Sequence, residues 1–270
     1  MQKRSSNQRY SSHENFLPES VLQSYDQFIN NPSIRPYIKR YREDSALANH
    51  ALKKILDDLL EINQQSVAKN KTPAFTACDG RVKSEGSFFM KFFLICHETH
   101  TQKTEITEKL VNDAYCRIHD LCGARFSCPY YHDVIPTIKD IVRPQLLKRG
   151  YLVDLQSNRK YHDKDYLDLG DNFGYRSYHF YVKIPTTIDI YGNKRACLCE
   201  IQARTELQHV WAVKSHDLLY KPDSGWTTQD LTILNDLKQV SNNLRAADEF
   251  LDSIRTRLNN ERIQALNEKQ

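Results

Sequence analysis

Cys197-Leu198-Cys199-Glu200-Ile201-Gln202-Ala203-Arg204 is the stretch on which the fold turns. Side chains alternate across an extended strand, so Cys197, Cys199, Ile201 and Ala203 share one face and Leu198, Glu200, Gln202 and Arg204 the other. The first face is small and apolar and asks for a covering layer. The second carries an acid, an amide and a base in a row. A solvated sheet face has a similar pattern, so this row acquires meaning where other polar groups meet it.

Working outward, Glu206 to Leu219 returns to helical spacing, with Leu207, Val210, Trp211 and Leu218 on its apolar side. His209, Ala212 and His216 share another face and read as structural. Before the strand, Tyr178 to Ile184 is a second strand and Gly123 to Ser127 a short third one. Between them Val134, Ile135, Ile138, Ile141 and Val142 suit an amphipathic helix that ends at Gly150 and is bent or broken at Pro144. Strands and helices mixed in this way imply an α+β domain, a mixed sheet flanked by helices. Helical additions lie on both sides. Residues 1–20 read as a flexible tail and 21–72 as a helical region, in which Ser45 caps a helix bearing Ala48, Leu52, Ile55, Leu56 and Leu59. The core spans 73–222. Residues 223–270 form a C-terminal helical region in which Leu237, Leu244, Leu251 and Leu258 recur every seventh position, with Val240, Ala247 and Ile254 in the complementary set. That seam suits packing on the domain's own helices at least as well as self-association.

Composition narrows the classes. Of 270 residues, 40% are hydrophobic and 27% charged, a globular balance. Lys and Arg outnumber acids 38 to 34, which permits polyanionic ligands without marking a nucleic-acid binder. No run approaches the roughly 20 apolar residues of a membrane helix; Phe88 to Cys96 is interrupted by Lys91. The polar, basic start has no hydrophobic segment behind it, so it is not a secretory signal. The seven cysteines lack zinc-site spacing and read as reduced thiols in a cytoplasmic protein. Arg35, Lys39, Arg40 and Arg42 read as a solvated loop and first helix, or as a surface for a phosphate backbone.

Three further segments carry chemistry. Asp120 precedes Gly123 and Arg125, and paired with Glu200 it would suit Mg²⁺, which takes one or two carboxylates and leaves the rest to substrate phosphates. Arg81, Lys83, Ser87 and Lys91 fall within eleven residues; if a helix begins near Ser84, Ser87 and Lys91 share a face able to hold a triphosphate. Gly174 forms a turn, followed by Tyr175, Arg176, Ser177 and His179, an aromatic that can stack on a base beside groups that can reach phosphate or ribose. No GxxxxGK[ST] loop is present, so an ATP site must be built differently.

In order, these segments resemble the RelA/SpoT synthetase domain: Arg81-Val82-Lys83 with Ser87 and Lys91; Asp120 through Gly123 to Arg125; Gly174-Tyr175-Arg176-Ser177-Tyr178-His179; Glu200-Ile201-Gln202-Ala203-Arg204-Thr205; and His216 with Tyr220-Lys221. The resemblance implies a nucleotidyltransferase-like sheet and transfer of pyrophosphate from ATP to the 3′-hydroxyl of GDP or GTP. It assigns Arg81 and Arg125 to adenine, and Lys83, Ser87 and Lys91 to the phosphates. Asp120 and Glu200 would hold Mg²⁺, with Glu200 also drawing the hydroxyl proton. Tyr175, Arg176, His179, Gln202 and Arg204 go to the acceptor. Two positions depart from the family pattern: Leu169-Gly170-Asp171-Asn172-Phe173 stands where many members have Pro-Lys, and Lys214 where many have Glu. The alternative acceptors are the tRNA 3′ end and adenosine nucleotides, as in toxic relatives. A silent nucleotide-binding module would require a lost ligand or base, yet Asp120 and Glu200 are both present. The expectation is a stand-alone synthetase without the hydrolase module, since only eighty residues precede Arg81. An antitoxin and a second copy joined through the C-terminal helix are the macromolecular partners left open.

Overall fold

The computed structural model describes residues 19–100, 108–153, 161–171, 173–188, 191–219 and 231–268. The expected tail therefore lies almost wholly outside the described residues, as do Tyr220-Lys221 and the expected boundary at 222/223.

Five strands form one mixed sheet: β1 Ala77–Val82, β2 Cys122–Cys128, β3 Lys164–Asp165, β4 Tyr178–Ile188 and β5 Lys194–Thr205. Their order is β1-β2-β5-β4-β3, with β2 and β5 parallel and the other pairs antiparallel. The β4–β5 register slips between Ile184 and Thr187, where Pro185 has no N–H to offer the ladder.

The apolar side of β5 behaves as its alternation predicts. Cys199, Ile201 and Ala203 are fully buried and join Ala124, Phe126, Phe180 and Val182 in the main core. The covering layer is α2, Arg35–Asn70, which buries Ala48, Ala51, Ile55, Leu59 and Ile62 against the sheet. Ile55, Leu59 and Ile62, each fully buried, contribute roughly 1.5–3 kcal/mol apiece. Ser45 does not start this helix. Pro36 stands in its first turn, where a missing N–H costs nothing, and Ser45 lies inside with its hydroxyl donating to the Arg42 carbonyl at 3.1 Å. An uncapped register without a breaker lets one helix run through both the basic stretch and the apolar stripe.

The region 134–149 is one bent helical path. α5, Val134–Pro136, passes through a π-helical turn, Thr137–Val142, into α6, Arg143–Lys148. The widened turn falls just before Pro144, whose ring would collide with a carbonyl four residues back in a regular helix. Gly150, at φ +83, closes the path in the left-handed region.

A second, aromatic core joins α1 (Glu19–Ile29) and the start of α2 to α3 (Glu85–His100) and α4 (Glu108–Cys116). Phe88, Phe89, Phe92, Tyr41 and Tyr115 meet there ring to ring, with centroids 5.0–6.4 Å apart. Ser84 starts α3 by accepting the Ser87 N–H at 3.3 Å, where the sequence places it.

On the far side of the sheet, α7 (Glu206–Leu219) lies against α8 (Leu231–Asn267). The heptad seam of α8 does not pack on the body along its length. Leu237 is buried, but the inward residues beyond it are Ser241, Asp248 and Asp252, while Val240, Leu251 and Leu258 are exposed. Polar bonds, not an apolar seam, attach this helix.

Candidate active site

Sheet register lays the candidate residues out in rows. Arg81, Gly123, Glu200 and Tyr181 stand opposite one another on β1, β2, β5 and β4. In the next row are Asp79, Arg125, Gln202, His179 and Lys164, one from each strand. Residues two apart share a face, so both rows point away from the apolar layer. All but Tyr181 line an open cleft of about 600 Å³, joined there by Lys91, Asp120, Tyr166, Tyr175 and Arg204.

Asp120 ends the loop between α4 and β2 and accepts two ammonium groups, Lys83 Nζ at 3.1 Å and Lys91 Nζ at 2.9 Å. Lys83 is buried in β1's exit and Lys91 reaches in from α3. Burial pushes the Asp120 carboxyl up, but Lys83 and Lys91 outweigh it and bring it down to about 2. Lys83 itself is lowered by burial, against the pull of Asp120.

Glu200 is 7% exposed and bonded on every side. His179 Nδ1 lies 2.9 Å from its Oε1, Gln202 Nε2 donates to the same oxygen at 3.0 Å, and the Tyr181 hydroxyl donates to Oε2 at 3.2 Å. Burial pushes this carboxyl up; the His179 and Gln202 contacts more than offset that and hold it at about 2. With Nδ1 turned to Glu200, His179 Nε2 meets the Tyr175 hydroxyl at 3.0 Å, and that hydroxyl also lies 3.2 Å from Gln202 Oε1. Tyr175, His179, Gln202 and Glu200 thus form one closed polar network.

Arg81 and Arg125 stand on neighbouring strands at the β1–β2 side, Arg125 paired with Asp79 at 2.5 Å. Arg204 lies in the floor, 2% exposed, with Nη2 on His209 Nδ1 at 2.9 Å and, among the described residues, no hydrogen-bond partner for its Nε. No described carboxylate pairs with it, and burial lowers its pKa. A buried guanidinium without an acid favours an anionic ligand. His209 is held as its hydrogen-bond acceptor, a structural part.

Three expected site residues do not line the cleft; Lys83 is joined to it through Asp120, and the other two stand elsewhere. Arg176 is buried away from the cleft wall, its guanidinium spent on the Leu167 carbonyl, Ser241 and Asn242. Ser87 lies on the first turn of α3, its hydroxyl accepting from Ser84 at 2.9 Å. His216 lies on α7. Four contributors went unread: Asp79, Lys164, Tyr166 and Tyr181. Asp79 and Tyr181 follow from strand alternation with Arg81 and His179. Lys164 and Tyr166 carry no periodic signal, because β3 is two residues long and exists only through pairing with β4.

Asp120 and Glu200 are ionised, face the same cleft and repel one another through space. Among the described residues no three or more His, Cys, Asp or Glu are gathered to enclose a metal. Two hard-oxygen ligands with the remainder left to substrate phosphates fit Mg²⁺.

A helix-covered mixed sheet of this kind is the nucleotidyltransferase-like fold. The RelA_SpoT model, described as the region found in RelA / SpoT proteins, matches residues 80–225, over half of the chain, and the chain belongs to that family. Among curated relatives, GTP pyrophosphokinase YwaC of Bacillus subtilis is 25% identical over 151 residues, covering 56% of this chain and 63% of that protein. GTP pyrophosphokinase YjbM of the same organism is 30% identical over 104 residues, 38% of this chain and 43% of that protein. The chain thus spans less than two thirds of the length of these two relatives. Of solved structures, small alarmone synthetase 1 from Bacillus subtilis bound to its product pppGpp superposes with a TM-score of 0.60 at 21% identity, over 87% of this chain and 98% of that one. Among the described residues no helix is long and apolar enough to cross a membrane.

Proposed function

We propose that this chain is a pyrophosphokinase that transfers the β,γ-pyrophosphate of ATP to the ribose 3′-hydroxyl of GDP or GTP, making ppGpp or pppGpp. The observation that carries the reading is the meeting of Asp120 with Lys83 and Lys91 and of the Tyr175–His179–Glu200–Gln202 network in one cleft. One side is cationic and suits a triphosphate. The other offers a base, an aromatic and amide groups to a nucleoside.

In this reading Arg81 and Arg125 clasp the adenine, and Lys83 and Lys91 exchange Asp120 for phosphate oxygens when the triphosphate enters. The acceptor base stacks on Tyr175, while Gln202 and His179 orient the ribose. Lys164, on the β4 side, supplies a cation for the acceptor's phosphates that the Leu169–Phe173 loop lacks. Glu200 Oε2, to which Tyr181 alone among the described residues donates, takes the proton as the 3′-oxygen bonds to the β-phosphorus; the α–β bridging bond breaks and AMP leaves. Asp120 and Glu200 would hold Mg²⁺, which neutralises phosphate charge during transfer. No covalent nucleophile is needed, because positioning and charge supply most of the catalysis in such transfers. The substrates put the reaction in the cytoplasm.

A second acceptor class, the tRNA 3′ end, is favoured by Arg35, Lys39 and Arg42, which are exposed at positions i, i+4 and i+7 of α2, whereas Arg40 is engaged with Asp44 and Tyr115. Incubating the protein with γ-³²P-ATP, Mg²⁺ and separate acceptors tests the choice. Label in a guanosine tetra- or pentaphosphate is expected. Label on deacylated tRNA or in an adenosine product moves the acceptor to that class, and no transfer to any acceptor refutes the enzyme reading.

A further inference from the structure

The loop that carries Tyr175 is gripped from behind by α8, a helix that lies wholly beyond the residues matched by the family model. Gly174 makes the contact close. It sits at φ +94, and a Cβ there would come within 2.9 Å of Ser241 Cβ and 3.1 Å of Lys238 Cα, so the loop backbone lies flush on the helix. Ser241 is 2% exposed; its hydroxyl donates to the Gly174 carbonyl at 2.5 Å and accepts from Arg176 Nε at 3.1 Å. Arg176 Nη2 donates to Asn242 Oδ1 at 2.9 Å, and Nη1 to the Leu167 carbonyl at 3.0 Å. Inside the loop, Asp171 Oδ1 accepts the Tyr175 N–H at 2.9 Å, and the Asp171 N–H meets the Tyr175 carbonyl at 2.9 Å. On its other side the Tyr175 ring ends at His179 and Gln202.

We propose that Ser241 and Asn242, acting through Arg176, are positioning residues for the acceptor half of the site. They hold Tyr175 in its binding orientation before the acceptor arrives, and α8 thereby sets acceptor affinity without touching the acceptor. The inference rests on the pyrophosphokinase reading and assigns Arg176 a place behind the loop, not on the acceptor. The chemistry of the contact supports it. Apolar surfaces slide with little penalty, whereas the buried Ser241 hydroxyl and Arg176 guanidinium are satisfied in one register only. A loop ordered in advance is not ordered at the acceptor's expense.

The test compares Ser241→Ala, Asn242→Ala and Asn242→Asp with the unaltered protein. Readouts are the KM for GDP or GTP, the KM for ATP, kcat, and deuterium exchange at the amides of residues 170–175. Loss of a bond to the Arg176 guanidinium, buried at Ser241 and part-buried at Asn242, predicts a rise in acceptor KM of roughly tenfold or more for Ser241→Ala and of roughly fivefold or more for Asn242→Ala. The KM for ATP and kcat stay within twofold, and exchange in the loop quickens. Asn242→Asp, which still offers Arg176 an acceptor, restores the low KM. If loop exchange quickens while acceptor KM is unchanged, or if both KM values rise together, the inference is overturned. Should Ser241→Ala not fold, the Asn242 pair, on an exposed position, decides alone. Absence of guanosine transfer in the unaltered protein would overturn the functional reading, a result separate from any difference among the variants.

Discussion

Substituting Glu200→Gln keeps the side chain's shape and removes its charge. In the native protein burial opposes ionisation at this position, yet His179 and Gln202 bring the carboxyl from an ordinary 4.5 to about 2. That drop corresponds to roughly 3 kcal/mol of preference for the ionised form. Because the folded value lies below the unfolded one, this stabilisation is fully present above pH 4.5 and is lost as pH falls through about 2. A glutamine retains an acceptor for His179 Nδ1, so roughly 3 kcal/mol is the upper bound on the stability lost at pH 7. For a chain of this size that is a fall in Tm of at most about 10 °C. Activity should suffer far more. Loss of a general base costs on the order of 10²–10⁴ in rate, and the same substitution removes one of two carboxylates available to Mg²⁺. Label transfer from γ-³²P-ATP measures the rate, a fluorescent ATP analogue measures donor binding, and thermal melting checks the fold. The expected result is a loss of at least a hundredfold in kcat with donor affinity within a few-fold and a folded protein. Turnover within tenfold of the unaltered enzyme would refute the assignment of Glu200 as base.

Asp120→Ala leaves Lys83, whose side chain is 7% exposed, without its carboxylate, which itself is 28% exposed; stranding one charge of such a half-buried pair should cost about 1–3 kcal/mol. A urea midpoint that barely moves would contradict the role given to that pair. Gly80→Ala places a Cβ 2.6 Å from the Gly123 carbonyl oxygen and 2.6 Å from Leu52 Cδ1, so β1 and β2 must part. Overpacking of this kind should cost roughly 1–3 kcal/mol, and a melt at the native temperature would show the sheet to be more yielding than these contacts imply. Asp248 is buried on the inner face of α8, and burial, with Asp252, Glu206 and Glu249 nearby, raises its carboxyl to about 6 against the bond from Thr205. A raised folded value stabilises below the ordinary 3.8 and is lost as pH climbs through about 6. Asp248→Asn should therefore flatten the fall in Tm between pH 4 and 6.5, and an unchanged slope would clear Asp248 of that role.

Alternation and spacing suffice for much of this protein. The two faces of β5, the helix 206–219 and the start of α3 at Ser84 are all local consequences of which residues stand two, three or four apart, whereas Asp120 and Glu200 face one cleft only because β2 pairs with β5. Other features depend on contacts distant in sequence. Ser45 has the chemistry of a cap, but caps act only where a helix begins, and the tertiary course of α2 begins ten residues earlier. Lys164 and Tyr166 enter the cleft because a two-residue strand pairs with β4, a contact no window of sequence contains. Arg176 carries a motif's charge yet turns inward, since α8 supplies Ser241 and Asn242 from 65 and 66 residues away. The heptads of α8 are real, but a helix has several faces and only packing selects one; here the Gly174 carbonyl, the Thr205 hydroxyl and the His132 N–H select the polar face. Sequence alone determined which residues share a side of each element. Tertiary structure decided which of those sides meet, because that choice is made by partners dozens of residues apart.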